Sequence, residues 1–221
     1  MSDSSRHELD RRRFLNAGAA GAAAAMTTLR AEAAGRQAAR TMSGMVELQV
    51  KPIDPVRIGY VGVGLQGSSH VRNLLHIPGV EIRAVCDIVP EKVARVQQWV
   101  VEAGQPEPEG YVKGPTDFRR LCQRNDLDLV YTATPWEWHV PVCLAAMEAG
   151  KHAATEIPAA TTLDECWQLV ETAERTKKHA IMMENCCYDR PEMLCLNLVK
   201  KGLLGEVLHA EAGYCHDLRA I

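Results

Sequence analysis

From Val56 to Glu184, short apolar runs of strand length alternate with amphipathic stretches of helix length, and that rhythm leaves few folds open. Val56–Val61 reads as a buried strand, Gly67–His76 as the helix after it and Glu81–Cys86 as a second strand. Pro90 opens a helix to about Val101, with proline at a tolerated first-turn position. Gly104–Gly114 reads as a Pro- and Gly-rich loop, and Thr116 and Asp117 as caps of a helix over Phe118–Cys122. Leu127–Thr132, His152–Glu156 and Ala180–Glu184 read as further strands, separated by helices over His139–Ala149 and from Thr162 to near Lys177 and Lys178. Such alternation predicts an α/β fold, a doubly wound parallel sheet of Rossmann type with helices on both faces. Beyond Tyr188 the rhythm changes: a helix over Glu192–Lys201 ends at Gly202, and Glu206–Tyr214 reads as a strand of a different sheet. The expected layout is a Rossmann domain over 56–187, followed over 188–221 by the start of a truncated α+β substrate domain.

Inside this frame, Gly62-Val63-Gly64-Leu65-Gln66-Gly67 follows a strand directly and opens a helix. In that context a G-x-G-x-x-G run is a dinucleotide-binding turn. Gly62 permits the tight turn, Gly64 lets the backbone approach a pyrophosphate, and Gly67 allows close helix–strand packing. Asp87 lies twenty residues after Gly67, at the end of the second strand. A carboxylate there accepts ribose hydroxyls and repels a 2′-phosphate. Ile88 and Val89 stand where an arginine would rescue NADP, so NAD is the expected cofactor.

The first 33 residues stand outside the fold. Arg11-Arg12-Arg13-Phe14-Leu15 supplies a twin arginine, Ala17–Leu29 a weakly hydrophobic stretch, and Ala31-Glu32-Ala33 a small-x-small cleavage site. This reads as a twin-arginine signal peptide, too short and too weakly apolar for a membrane anchor, followed by a linker over 34–55. The expected destination is the periplasm or the exterior. Because that route carries folded proteins, the cofactor is expected to travel already bound.

Composition narrows the partners. A net charge of -3, with no basic block, argues against nucleic acid. The eight cysteines, at 86, 122, 143, 166, 186, 187, 195 and 215, include no Cys-x-x-Cys pair and read as free, mostly buried thiols; no metal-ligand spacing is found. His7, His70, His76, His152, His179 and His209 join no constellation and read as surface or core residues, and Trp99 and Trp167 read as packing.

The segment Ala133-Thr134-Pro135-Trp136-Glu137-Trp138-His139 resembles the Gfo/Idh/MocA-type oxidoreductase superfamily, that of glucose-fructose oxidoreductase and inositol dehydrogenase. Its members carry Glu-Lys-Pro after the fifth strand, the lysine serving the dehydrogenase chemistry. Glu156-Ile157-Pro158-Ala159 stands there instead, and isoleucine cannot move a proton. With Glu184-Asn185-Cys186-Cys187-Tyr188 and Gly213-Tyr214-Cys215-His216-Asp217-Leu218-Arg219, these motifs resemble glycoside hydrolase family 109, the NAD-dependent alpha-N-acetylgalactosaminidases.

The resemblance implies that Leu65, Gln66, Asp87, Thr134, Trp136, Glu137, Trp138, His139, Glu156, Ile157 and Asn185 line the NAD site, with Tyr214 on the sugar. Tyr188 and His216 are the catalytic candidates: Tyr188 as base for the sugar C2 hydrogen or as a packing residue, and His216 because it shares a strand face with Tyr214. His139 orients the nicotinamide end or satisfies local hydrogen bonds. The implied reaction is glycoside cleavage by transient C3 oxidation, C2 deprotonation, elimination, water addition and re-reduction, unlike the two-carboxylate route. The implied substrate is an N-acetylgalactosamine-containing glycan. Two other readings stand beside it, an NAD-dependent sugar dehydrogenase and a non-catalytic NAD-binding module. The relatives' Tyr-Pro-Thr-His motif is not reached by Ile221, so this chain alone is expected to bind NAD and turn over poorly. A homo-oligomer would use the sheet of the C-terminal domain.

Overall fold

The computed structural model describes residues 48–211 and 213. The chain divides into two units, Met1–Val50 and Lys51–Ile221. Of the first, only residues 48–50 are described, and they have no regular structure. The signal-peptide reading, Tyr214 and His216 therefore lie outside the described residues.

The second unit is built on a six-stranded sheet. In chain order its elements are β1 (Val56–Val61), α1 (Leu65–Leu74), β2 (Val80–Cys86), α2 (Pro90–Glu102), β3 (Glu109–Tyr111), α3 (Phe118–Cys122), β4 (Leu129–Thr132), a 3-10 turn (Trp136–Trp138), α4 (His139–Glu148), β5 (His152–Thr155), α5 (Leu163–Thr176), β6 (Ala180–Met182) and α6 (Arg190–Lys200). The strand order is β3-β2-β1-β4-β5-β6, and every pairing is parallel. This is the doubly wound Rossmann arrangement that the alternation predicts.

Strand periodicity explains why both faces are covered. Ile58 and Tyr60, two residues apart on β1, join Val71 of α1 and Val93, Val96 and Val100 of α2 in one buried cluster. Gly59 between them serves the opposite face, where a Cβ would come 2.7 Å from Leu121 and 2.8 Å from Leu127. Leu121 of α3 and Val142, Ala146 and Met147 of α4 are fully buried, and α5 packs on α4. Helix α5 starts in a capping box: the Thr162 hydroxyl accepts from the Glu165 amide at 3.2 Å, and the Glu165 carboxylate accepts from the Thr162 amide at 3.1 Å.

Four local expectations are corrected. Within the stretch read as a loop, Glu109–Tyr111 forms strand β3, aligned with Ala84–Cys86. Its three residues, with glycine in the middle, carry no period; the exposed edge of β2 recruits them. Asp117 holds the cap position of α3, but its side chain accepts no bond from the first-turn amides. Its buried carboxylate instead accepts from the Lys113 amide at 2.9 Å and pairs with Arg120 at 2.8 Å. The strand expected from Glu206 is absent among the described residues 206–211 and 213. No described strand lies beside it, and an isolated strand leaves its backbone donors to water.

The thiols, finally, are not mostly buried. Cys86, Cys122 and Cys143 are buried, whereas Cys166, Cys186, Cys187 and Cys195 are exposed, and all seven are unpaired. Burial pushes each of the three interior thiols up to about 12, so they pack as small hydrophobes. Trp99 packs against the core beneath the Arg72 guanidinium, 4.0 Å from its ring centroid, while Trp167 is 43% exposed. Among the described residues no helix is long and apolar enough to cross a membrane.

Candidate cofactor and active site

The order β2-β1-β4 places the topological switch between β1 and β4, where the chain leaves in opposite directions and opens a crevice at their carboxyl ends. Gly62 closes the first loop of this crevice with φ +84 and a backbone bond from its amide to Cys86 at 2.8 Å. A Cβ there would stand 2.8 Å from the Ala133 carbonyl, so the loops after β1 and β4 touch through backbone alone. At Gly67 a Cβ would lie 1.9 Å from the Gly62 oxygen and 3.1 Å from the Tyr60 ring; only glycine lets α1 sit this close to β1. At Gly64 a Cβ would meet nothing within 4 Å. No protein atom demands glycine there, which leaves the space beside the turn free for a ligand.

The start of α1 fits a pyrophosphate. No side chain caps it and its first turn carries no acidic residue, so its amides remain available to an anion. The buried Ser68 hydroxyl donates to the Val63 carbonyl at 2.9 Å and fixes the loop from below. Asp87, just past β2, accepts the Val63 amide on one oxygen and the Val89 amide on the other, both at 2.9 Å. Those bonds hold the carboxylate still, and each oxygen keeps a lone pair for a ribose hydroxyl.

The remaining candidates divide sharply. Leu65 is 95% exposed at the mouth of the crevice, with Gln66 exposed beside it. The Thr134 hydroxyl meets that of Thr132 at 2.9 Å. Trp136 and Glu137 are exposed, whereas Trp138 turns its ring edge-on to Phe118, with centroids 5.9 Å apart. His139 is 1% exposed, with Nδ1 2.7 Å from the Pro158 carbonyl and Nε2 2.9 Å from the Thr134 carbonyl. Its ring sits between the loop after β4 and the loop after β5, and the N–H of a neutral ring donates to one of the two carbonyls. Ile157, Asn185 and Tyr188 are exposed, Tyr188 by 80%.

Glu156 follows β5 directly, its amide bonded to the Thr132 carbonyl at 3.1 Å, and it is buried at 8% exposure. Its Oε1 lies 3.4 Å from the Tyr131 hydroxyl and 3.2 Å from His70 Nε2. His70 Nδ1 in turn meets the Tyr60 hydroxyl at 2.9 Å, and Nε2 meets the Gln66 amide nitrogen at 2.9 Å. Burial drives both phenols far above the ordinary tyrosine range, so Tyr60 and Tyr131 remain neutral hydroxyl donors. The expectation that His70 joins no constellation is thus overturned: it lies at the centre of one. The available signal was its place on α1, four residues after Gln66 and therefore on the same helical face. A separate cleft of about 360 Å³, lined by Arg119, Arg120, Gln123, Ala145, Glu148 and Ala149, contains none of these groups.

Residues 56–184 match the family model of the oxidoreductase family with an NAD-binding Rossmann fold. The chain belongs to the Gfo/Idh/MocA oxidoreductase family. Its cofactor is NAD, in agreement with the open space at Gly64, the uncapped start of α1 and Asp87. Residues 188–221 match the C-terminal domain of glycosyl hydrolase 109. This Gfo/Idh/MocA chain is 45% identical over 216 residues to a glycosyl hydrolase family 109 protein of Shewanella pealeana. It is 43% identical over 218 residues to a protein of Shewanella oneidensis named alpha-N-acetylgalactosaminidase. Each alignment takes in 96% of the chain but 47% of the relative, so the chain spans about half the length of the curated relatives it matches.

Among solved structures, the fold resembles the WlbA dehydrogenase of Chromobacterium violaceum, in complex with NADH and UDP-GlcNAcA. There the TM-score is 0.61 at 25% identity, covering 72% of this chain and 44% of that one. It also resembles scyllo-inositol dehydrogenase of Lactobacillus casei with NAD(H) and scyllo-inositol, with a TM-score of 0.59 at 22% identity, covering 68% and 42%.

Proposed function

We propose that the chain is the cofactor-holding part of an NAD-dependent glycosidase acting on alpha-N-acetylgalactosaminides. The supporting observation is the joint occurrence of a complete NAD cradle and a 43% identity to a protein named for that activity. When bound, NAD supplies a temporary hydride acceptor for the sugar C3, which acidifies the C2 hydrogen and lets the glycosidic oxygen leave. Gly62, Gly64 and Gly67 shape the turn that receives the pyrophosphate, and Asp87 takes the ribose hydroxyls. Ile157, exposed where a lysine serves the dehydrogenases, contributes surface and no proton transfer. Glu156 is the buried carboxylate nearest to it in sequence. Tyr188, exposed between β6 and α6, is the base assigned to the C2 proton, and Tyr214 and His216 belong to the sugar side.

The test is hydrolysis of p-nitrophenyl alpha-N-acetylgalactosaminide in deuterated water, by this chain and by the chain extended with the C-terminal half of a relative. Cleavage by the extended protein, with deuterium at C2 of the released sugar and no net NADH, supports the reading. Cleavage without deuterium refutes the mechanism, and accumulation of NADH from the free sugar replaces it with a dehydrogenase. The 221-residue chain alone is expected to bind NAD and turn over poorly. We further propose export by the twin-arginine route, tested by fusing residues 1–55 to a folded reporter. Changing Arg11, Arg12 and Arg13 together to lysine is expected to strand the reporter in the cytoplasm, and a reporter exported unchanged refutes the route.

A further inference from the structure

Two partners compete for one atom of His70. Gln66 Nε2, on the helix that faces the phosphates, and Glu156 Oε1, at the end of β5, approach the same imidazole nitrogen at 2.9 Å and 3.2 Å. An amide nitrogen can only donate and a carboxylate can only accept. A proton on Nε2 therefore serves Glu156 and excludes the Gln66 amide nitrogen; a bare Nε2 serves Gln66 and sets a lone pair against the carboxylate. The second arrangement is costly, because Glu156 is 8% exposed and Tyr131, at 3.4 Å, is a long and weak substitute donor. Tyr60, fully buried with its hydroxyl 2.9 Å from Nδ1, can donate there and so favours the proton on Nε2. Glu156 Oε2 makes no protein hydrogen bond among the described residues.

We propose that His70 is a positioning residue of the cofactor site. Its Nε2 proton holds Glu156 in place and turns the Gln66 amide outward, so that the phosphate-binding helix and the carboxyl end of β5 are set as one unit. The inference rests on the reading that NAD lies between them.

Two substitutions separate this role from packing. In His70→Gln the side-chain amide can reach the place of Nε2 and donate to Glu156. In His70→Asn the shorter amide reaches only the place of Nδ1. NAD affinity of the stripped 221-residue chain is measured calorimetrically, beside the apo melting temperature. His70→Asn is expected to weaken NAD by about tenfold or more, the scale of one hydrogen bond to a charged group, while His70→Gln stays within about threefold. A folded His70→Asn that binds NAD like wild type overturns the inference, as does an equal loss in both variants. Imidazole nitrogen NMR on the wild-type chain gives a second measurement independent of variant folding. A protonated Nε2 with Nδ1 accepting supports the proposal, and a protonated Nδ1 with bare Nε2 overturns it. Wild-type chain that fails to bind NAD, with the expected tautomer present, sinks the cofactor reading instead.

Discussion

Gly64→Ala isolates the cofactor from the fold. Gly64 is extended, with a negative φ of -66, and its added Cβ meets no protein atom within 4 Å. The apo protein should therefore keep its stability within about 0.5 kcal/mol, or gain slightly through a stiffer unfolded chain. The same methyl occupies space that a pyrophosphate needs. Displacing one charge-assisted bond from an amide costs roughly 1.5–3 kcal/mol, between about ten- and a hundredfold in affinity.

A melting assay reads both halves of the argument. NAD at about 100 times its wild-type Kd contributes about 2.7 kcal/mol. At roughly 2–4 °C per kcal/mol for a chain of this size, wild type rises by about 5–10 °C. The variant should match the wild-type apo melting point and show less than about half of that shift. Gly67→Ala is the contrast, since its Cβ strikes the Gly62 oxygen at 1.9 Å; it should lose about 1–3 kcal/mol before any NAD is added. If Gly64→Ala bound NAD with unchanged affinity, the crevice at α1 would not be the pyrophosphate site.

Other substitutions test separate links. Asp87→Ser combined with Ile88→Arg removes the carboxylate and supplies a cation, so NADP should gain on NAD in calorimetric titrations; an unchanged preference refutes the role of Asp87. Thr162→Ala removes the hydroxyl that caps α5 at 3.2 Å and should cost about 1 kcal/mol in urea unfolding. Asp128 is paired with Arg57 at 2.7 Å, and its carboxyl is held below the usual range first by the Arg57 hydrogen bond. A lowered folded pKa gives stability that is complete above the unfolded pKa and is lost as pH falls through the folded one. Asp128→Asn should thus melt lower than wild type at neutral pH, and the gap should close in acid below the carboxylate range; a gap independent of pH refutes the pairing.

Much of the frame was legible because it rests on period and on steric exclusion. The run 58–61 is buried on both faces, and its apolar composition marks it as part of an interior parallel strand. The glycines at 62 and 67 were readable because each excludes a Cβ from a defined place. Strand β3 was not, since Glu109-Gly110-Tyr111 owes its conformation to the ladder of β2 and to nothing in its own sequence. Asp117 misled for a related reason: a carboxylate at a helix start signals a cap only when no nearer donor claims it, and the Lys113 amide and Arg120 both do.

The candidate site divides along the same line. Gly62, Gly64, Gly67 and Asp87 are local features at fixed spacing, and the fold gathers them where the spacing says. Glu156 was marked by the family resemblance, but its partners lie 86 and 25 residues away at His70 and Tyr131, distances that only the closed sheet brings together. His139 shows the converse. A histidine beside a tryptophan-rich loop invites a direct role at the cofactor, yet each of its ring nitrogens faces a backbone carbonyl of one of the two loops it joins, and the N–H of a neutral ring donates to one of them. A histidine held that way sits between two walls of the crevice, whereas His70 touches the buried carboxylate of Glu156 at the end of β5. Of the two, the histidine that no motif announces is the one that contacts side chains of the candidate site.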